Sequence, residues 1–560
     1  MEWPYPSNCR QNAFWPHFRR LDPPVIFHPV AARQSFLYSF VPTHPPFVVM
    51  SDPEESNARV RQHRASPEKE FDSWSAIALG AITTNSAIGI VLTFASTITY
   101  GGSMLLFYGF PIMSIIALGA ATSLGELTSA YPEAGGQYIW VARLAPPKLS
   151  RFFSYIVAIY SWAGAVCTGA SVCLVGAELI LDLVEFFNPH FHVKPWMVFL
   201  FYQAINILTL IPSFYGKLLN KVTKSQMAFT ALLLVGLLVA LFAAAKNRRS
   251  AHEFFTVFHH SSGWPDGMAV LIGVNSLQWC YCCLDSMVHI ADEIPKPERN
   301  IPRALMWSIA VGFVTGMICL CAYMFATDDY DTGYSSLTIT FQAFGQNQGA
   351  AIVIQVLVFV SSIGALWGIH VWQSRLAWTI GYNRGFPFGE YLERIAGPPY
   401  GTPVYALVFS SFATALLGFL YLGSSTAFNS LVSASLLFQW ISYSIPVIFL
   451  NLRGRTTIPH GPFWFPKLGY IANTLLVVWT GVSLVIYCFP YTLPFEAGNM
   501  NYVSAVVCGI TLLSILCWIC YGRKHFHIPE LDICLGTIEG VSPSGETHHV
   551  NRLKVEVVRK

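Results

Sequence analysis

Residues 275–303 read NSLQWCYCCLDSMVHIADEIPKPERNIPR, and the carboxylate in their midst decides how the chain must fold. The stretch begins inside an apolar run, passes Asp285, and leaves through a charged loop closed by prolines. A carboxylate in hydrocarbon costs several kcal/mol unless it is paired or faces water. Trp279, Cys280, Tyr281, Cys282 and Cys283, which lead up to it, are aromatic and small rather than Leu-rich, as a cavity wall would be.

Working outward, the chain of 560 residues is 54% hydrophobic and only 11% charged. Soluble domains carry about a quarter charged residues, so most of this chain belongs in lipid. A net charge of +3, with no basic cluster alternating with aromatics, gives no reason to expect a nucleic-acid partner. The 13 cysteines lie mostly inside apolar runs, where packing is the plain reading, and no metal or cofactor is expected.

Runs of about 20 apolar residues can cross a bilayer as helices. Twelve occur, at 75–99, 103–128, 152–181, 196–214, 225–245, 267–291, 305–326, 350–379, 403–422, 426–449, 469–489 and 502–521. The expected class is therefore an all-α integral membrane protein with one helical domain over 75–521. Flanking it are tails at 1–74 and 522–560. Residues 1–49 are Pro- and aromatic-rich and lack the shape of a signal peptide. The polar stretch after Met50 suggests that translation starts there, which mass spectrometry finding peptides from 1–49 would refute. With both tails inside, the inner loops hold fourteen Lys and Arg against four outside, so both termini are expected in the cytoplasm.

Two runs are unusual. The first carries Thr83, Thr84, Asn85, Ser86 and Gly89 near its midpoint, and the sixth carries Asn275, Ser276 and Gln278 ahead of the aromatic–cysteine stretch. They stand five runs apart, as if two five-helix repeats each opened with an interruptible helix. Paired interrupted helices point to the binding site of a secondary transporter. Small residues that merely let helices pack closely are the other reading.

Three blocks carry a family resemblance: TNSAIGI at 84–90 with YGG at 100–102, GELTSAYPEAGGQYIWVARLAPPKLSRFFSYI at 125–156, and DSMVHIADEIPKPERNIPRAL at 285–305. QSRLAWTIGYNRGFPF at 373–388 supports them. The chain resembles fungal permeases of the amino acid/choline (GABA) group, in the amino acid–polyamine–organocation superfamily. The resemblance implies a five-plus-five inverted repeat with broken helices 1 and 6, two further C-terminal helices, and alternating access around a central site. It implies uptake of amino acids or related amines such as GABA or choline, with a proton as coupling ion. The plasma membrane is the expected location and the vacuolar membrane the alternative. Two departures bear on the pocket: Ala87 stands where members commonly have Trp, which would enlarge it, and Cys283 where they commonly have Gly, which would crowd it.

Free N–H groups at a half-helix start, around Asn85, Ser86, Ala87 and Gly89 or around Cys282–Asp285, would hold a substrate carboxylate. Trp279 or Tyr281 would face an ammonium group, with cation–π attraction of about 0.5–2 kcal/mol; each is equally readable as packing. Cys283 completes the candidate pocket. Asp285 admits three readings: pairing with the substrate cation, taking up the coupling proton, or holding basic residues at an inner gate. In the loop beyond it, Asp292, Glu293 and Glu298 can pair with Lys296, Arg299 and Arg303. That makes Glu293 and Arg299 gating candidates, with a solvated loop as the plain alternative. Glu126 reads as structural and Glu178 as solvated. A membrane-embedded enzyme built on His252, His259, His260, His289 and His370 is disfavoured, because these fall on different sides of the membrane. A nutrient receptor that keeps the fold without transport is the remaining alternative.

Overall fold

The computed structural model describes residues 72–188, 190–244, 250–326 and 336–528. Among these, all regular structure is helical, and twelve helices are long and apolar enough to cross a membrane. In chain order they are spans 1 to 12: Trp74–Ile98, Gly102–Ala130, Pro147–Phe187, Pro195–Ser213, Gly216–Ala243, Asp266–Glu293, Pro297–Ala326, Gln348–Tyr382, Val404–Gly423, Ser425–Arg453, Leu468–Ile486 and Val503–His525. The 1–49 segment, the basic 246–249 stretch, the acidic 327–335 loop and the tail from 529 onward lie outside the described residues. Span 1 begins on the side termed here the tail face and ends on the far face; alternation assigns the other ends.

The spans outrun the apolar stretches that announce them. Span 3 covers Pro147–Phe187 rather than 152–181, span 5 begins at Gly216 rather than 225, and span 7 at Pro297 rather than 305. Hydropathy stops at Lys148, Lys217 and Arg299, but helix hydrogen bonding does not, and Lys and Arg are good helix formers. Pro147, in the first turn of span 3, lacks only an N–H that would have gone unpaired there. Within the 125–156 block, behind Gly135 and Gly136, a short helix, Gln137–Leu144, sits almost wholly buried.

Burial sorts the spans. In its most apolar window span 3 is 78% buried and span 12 only 11%, so the former runs through the centre and the latter along the rim. Span 3 packs against spans 8 and 10, and span 2 against spans 7 and 11. Span 1 starts with a capping box in which Asp72 accepts from the Ser75 N–H and Ser75 answers the Asp72 N–H. Lys224 of span 5 lies 2.6 Å from Asp72. Partial burial pushes the Asp72 carboxyl up, but the Lys224 and Ser75 hydrogen bonds outweigh it and hold it at about 2.

Both spans expected to be interrupted are interrupted. Span 1 breaks at Asn85, which takes the left-handed conformation (φ 38°, ψ 50°) between Ser73–Thr84 and Ser86–Ile98. Span 6 is α-helical over Asp266–Ser276, tightens to 3₁₀ over Leu277–Tyr281, then breaks at Cys282 and Cys283 before resuming as 3₁₀, with a kink at Ile290, over Leu284–Glu293. Cys283 is left-handed as well (φ 60°, ψ 24°).

Glu126 serves structure, as its place at the end of span 2 suggests. It is fully buried, accepts from the Phe465 N–H at 2.8 Å, and lies 2.8 Å from Arg455 Nη2. The guanidinium is stacked 4.3 Å from the Trp464 ring centroid. A methyl group at Gly469 would come within 1.9 Å of Arg455 Nη2 and 2.5 Å of Glu126 Oε1, so only glycine fits beside the pair. Removing one partner of a buried ion pair costs about 3–5 kcal/mol. Arg455→Ala is expected to destabilise the protein by that amount, and Gly469→Ala to lower the thermal midpoint in detergent clearly too. A midpoint unchanged in either variant contradicts the assignment.

Candidate functional site

A cavity of about 660 Å³ lies between the two breaks and extends to the far face. Its deep end is formed by Asn85, Thr83, Trp279, Cys282 and Thr168, and its outer end by Tyr100, Glu178, Tyr491 and Asn501. The helical periods choose these residues. Along the 3₁₀ stretch of span 6, side chains three apart eclipse, so Ser276, Trp279 and Cys282 share the cavity face. In span 1 the α-period brings Asn85, Ile88, Gly89 and Leu92 to that face.

Three of the seven substrate-binding candidates from sequence therefore meet the cavity: Asn85, Gly89 and Trp279. The other four point elsewhere. Ser86 donates to the Cys280 carbonyl at 2.7 Å. Ala87 is buried. The Tyr281 hydroxyl meets Ser114 at 2.6 Å, and its ring stacks on Phe110 with centroids 5.6 Å apart. Cys283 is fully buried and gives its backbone N–H to Gln439 Oε1 at 2.8 Å. The expected enlargement at Ala87 and crowding at Cys283 thus do not reach the cavity.

The acidic residues divide by depth. Asp285 lies behind the cavity floor, fully buried among polar partners: Gln137 Nε2 donates to Oδ2 at 2.8 Å, Tyr443 donates to Oδ1 at 2.7 Å, and His289 Nε2 stands 3.1 Å from Oδ2. Pairing with Lys or Arg, one of the readings open from sequence, is not what this site provides. One layer nearer the tail face, Glu293 meets Arg375 of span 8 in a bidentate pair, with Nε to Oε1 at 2.8 Å and Nη2 to Oε2 at 3.1 Å. Both are buried. Glu293 thus takes Arg375 rather than one of the loop cations Lys296, Arg299 and Arg303; Arg299 is exposed, and the carboxylate is met by a guanidinium that can follow it into the interior. Glu178 is exposed into the cavity and is the one Asp or Glu of its lining, which contains no Lys, Arg or His among the described residues.

Sequence reading missed Gln137, Gln439, Tyr443 and Arg375. Only His289 carried a local signal, standing four residues past Asp285. No group of three or more His, Cys, Asp or Glu arranged to hold a metal occurs among the described residues.

The amino acid permease family model matches residues 72–513. The chain belongs to the amino acid permease family. The permease is 40% identical over 493 residues to the transmembrane transporter swnT of Metarhizium robertsii, covering 87% of this chain and 99% of that one. It is 41% identical over 465 residues to the swainsonine transporter swnT of Arthroderma benhamiae, covering 83% and 93%. It is 36% identical over 489 residues to the choline transporter of Saccharomyces cerevisiae, covering 86% of each. These relatives are named as transporters, and the permease is a multi-pass membrane transporter rather than an enzyme.

Asn85 holds the break of span 1 through its backbone and through Nδ2, which donates to Ser361 Oγ at 3.0 Å. The left-handed conformation costs a residue with a β-carbon about 1–2 kcal/mol, and glycine almost nothing. Asn85→Val is expected to unfold at a lower temperature than Asn85→Gly. Equal thermal midpoints for the two in detergent would show that the break does not depend on this residue's geometry.

Proposed function

We propose that the permease takes up a small cationic amine, choline-like rather than a zwitterion, by proton-coupled alternating access. The observation that carries this is the charge inventory of the cavity: one carboxylate, Glu178, with Trp279 and tyrosines, and no basic side chain in the lining. Such a lining attracts a cation and gives a carboxylate no charged partner. A quaternary or protonated nitrogen would lie against the Trp279 face, and hydroxyl groups on the substrate would meet Thr83, Thr168 and Asn85. Choline, which one relative is named for carrying, combines such a nitrogen with a hydroxyl group.

A second reading, an amino acid or GABA, has one observation in its favour. The helix Ser86–Ile98 begins at the cavity without a side-chain cap, so its first N–H groups could receive a carboxylate. At the matching break in span 6, the Cys283 N–H is already taken by Gln439, which supports the cationic reading. Alternating access is supported by the geometry of the two ends. The cavity reaches the far face, while Asp285 and Glu293, each with buried partners, stand between it and the tail face. With both termini in the cytoplasm, the far face is outside, at the plasma membrane or in the lumen of a vacuole.

Expression in a permease-deficient yeast tests the reading. Uptake of labelled choline is expected to rise from about pH 7.5 to pH 5 and to be competed by choline but not by GABA; the reverse competition favours the zwitterion. No uptake of choline, GABA or any amino acid by protein at the cell surface would leave the receptor alternative standing. Trp279→Leu is expected to raise the KM for choline about 2- to 30-fold, the equivalent of about 0.5–2 kcal/mol of cation–π attraction. Glu178→Gln is expected to raise it about 5- to 10-fold and to weaken its dependence on ionic strength. An unchanged KM in both variants removes the cation site.

A further inference from the structure

We propose that Asp285 and His289 together hold one exchangeable proton, and that this proton keeps the tail face of the permease closed. The inference rests on the proton-coupled reading above and gives it a site. Both side chains are fully buried and stand four residues apart in span 6. His289 Nδ1 lies 2.8 Å from the Ala134 carbonyl oxygen, and Nε2 lies 3.1 Å from Asp285 Oδ2. A carbonyl oxygen only accepts, so Nδ1 must carry hydrogen. The lone pair of Nε2 then faces a carboxylate oxygen. With the hydrogen on Nε2 instead, the lone pair of Nδ1 faces the carbonyl. Turning the ring over presents carbon to both. Each neutral form beside an ionised Asp285 therefore sets two acceptors against each other in a buried space.

One added proton resolves the conflict. It makes either an imidazolium beside a carboxylate or a neutral imidazole receiving a hydrogen bond from a carboxylic acid. Both are the same count: one proton on the pair. The other buried histidine of the spans is different. At His370, Gln373 Nε2 donates to Nδ1 at 2.7 Å, and Nε2 meets Thr209 Oγ1 at 3.0 Å. That hydroxyl already donates to the Ile205 carbonyl at 2.7 Å, so a neutral ring satisfies every contact. The same inventory that demands a proton at His289 demands none at His370.

The surroundings connect this proton to a gate. Ala134 and Gln137, which hold His289 and Asp285, belong to the tail-face connection between spans 2 and 3. Gly136 presses on the imidazole so closely that a β-carbon there would lie 3.0 Å from His289 Cε1. The facing titratable groups are Tyr443 of span 10, bonded to Asp285, and Cys283 of span 6. Further along span 6 stand Asp292 and Glu293, the latter paired with Arg375 of span 8. Losing the proton to water at the tail face leaves Nε2 and Oδ2 in repulsion. Relief requires His289 to leave either Asp285 or Ala134, which frees the connection from span 6. Proton release and tail-face opening are then one event. Toward the cavity, Tyr443 also reaches Gln439 Oε1 at 3.4 Å, and Gln439 Nε2 donates to the cavity residue Thr168 at 2.9 Å. An occupied cavity can act on the pair through this chain.

Hydrogen–deuterium exchange on the purified full chain tests the linkage without any substrate. After correction for intrinsic chemistry, opening measured at amides 133–140 should rise with pH, by up to tenfold per pH unit, as expected for one linked proton. Asp285→Asn puts an N–H opposite Nε2, and Gln137, whose Oε1 is buried without a partner, can turn over to accept from it. This variant imitates the loaded pair and should open slowly at every pH. His289→Gln should also lose the pH dependence, and either variant is informative if the other misfolds. In proteoliposomes both should lose pH-gradient-driven choline accumulation at least tenfold, and Asp285→Asn should also slow choline–choline counterflow, which needs the tail face to open. Opening that is pH-independent in the wild type, or equally pH-dependent in both variants, overturns the inference. Normal linkage with no choline transport by the wild type overturns the substrate reading and leaves this one intact.

Discussion

A peptide group bared in the middle of a bilayer has no water to turn to, so each broken helix must be matched by partners from the protein itself. The two breaks organise the centre of this permease. At Cys283 the N–H is answered by Gln439, and at Cys280 the carbonyl is answered by Ser86 from the other broken span. Thr83 and Ser286 complete the tie at 2.9 Å. The interrupted spans thus hold one another, and the polar groups they expose line a cavity because lipid could not have accepted them.

The same rule governs charge. Glu126, Asp285 and Glu293 are removed from water, and each has donors within hydrogen-bond distance. Glu178 faces the cavity instead. Carboxylates with internal partners therefore gather between the cavity and the tail face, whereas the one in the lining faces the cavity, where the proposed substrate cation would meet it. A cation drawn in by Glu178 and the aromatic wall would stop at a floor sealed by hydrogen bonds, not at a second electrostatic trap.

The twelve spans and both breaks were legible because they rest on local facts: apolar length, and polar residues where leucine is expected. Span ends were less so, since a helix that leaves lipid continues through Lys217 or Arg299 with its hydrogen bonds intact. In the site, Trp279 was legible and Tyr281 misled, because both are aromatic and only the switch from a 3.6- to a three-residue period turns Tyr281 toward Ser114 and Phe110. Glu293 stood among the gating candidates, but its partner Arg375 lies 82 residues away, and charge pairing in a loop gives no hint of it. Gln137, Gln439 and Tyr443 carry no charge, so nothing in a sequence marks them as the partners of a buried carboxylate and a broken helix.

What distinguishes the two faces is that the cavity opens to one while hydrogen bonds close the other. A face shut by apolar packing alone would be indifferent to pH and to the charge of the cargo. The tail face is shut by groups whose hydrogen-bond inventory does not balance without a proton at His289 and Asp285, and one of those partners connects through Tyr443 and Gln439 to the cavity wall. On the proton-coupled reading proposed above, the energy stored in a proton gradient would act on the bonds holding span 6 to the neighbouring connection. The helix break is what makes this possible. Only an interrupted span can carry its tail-face half, with Asp285, His289 and Glu293, as a piece that moves apart from the half bearing Trp279.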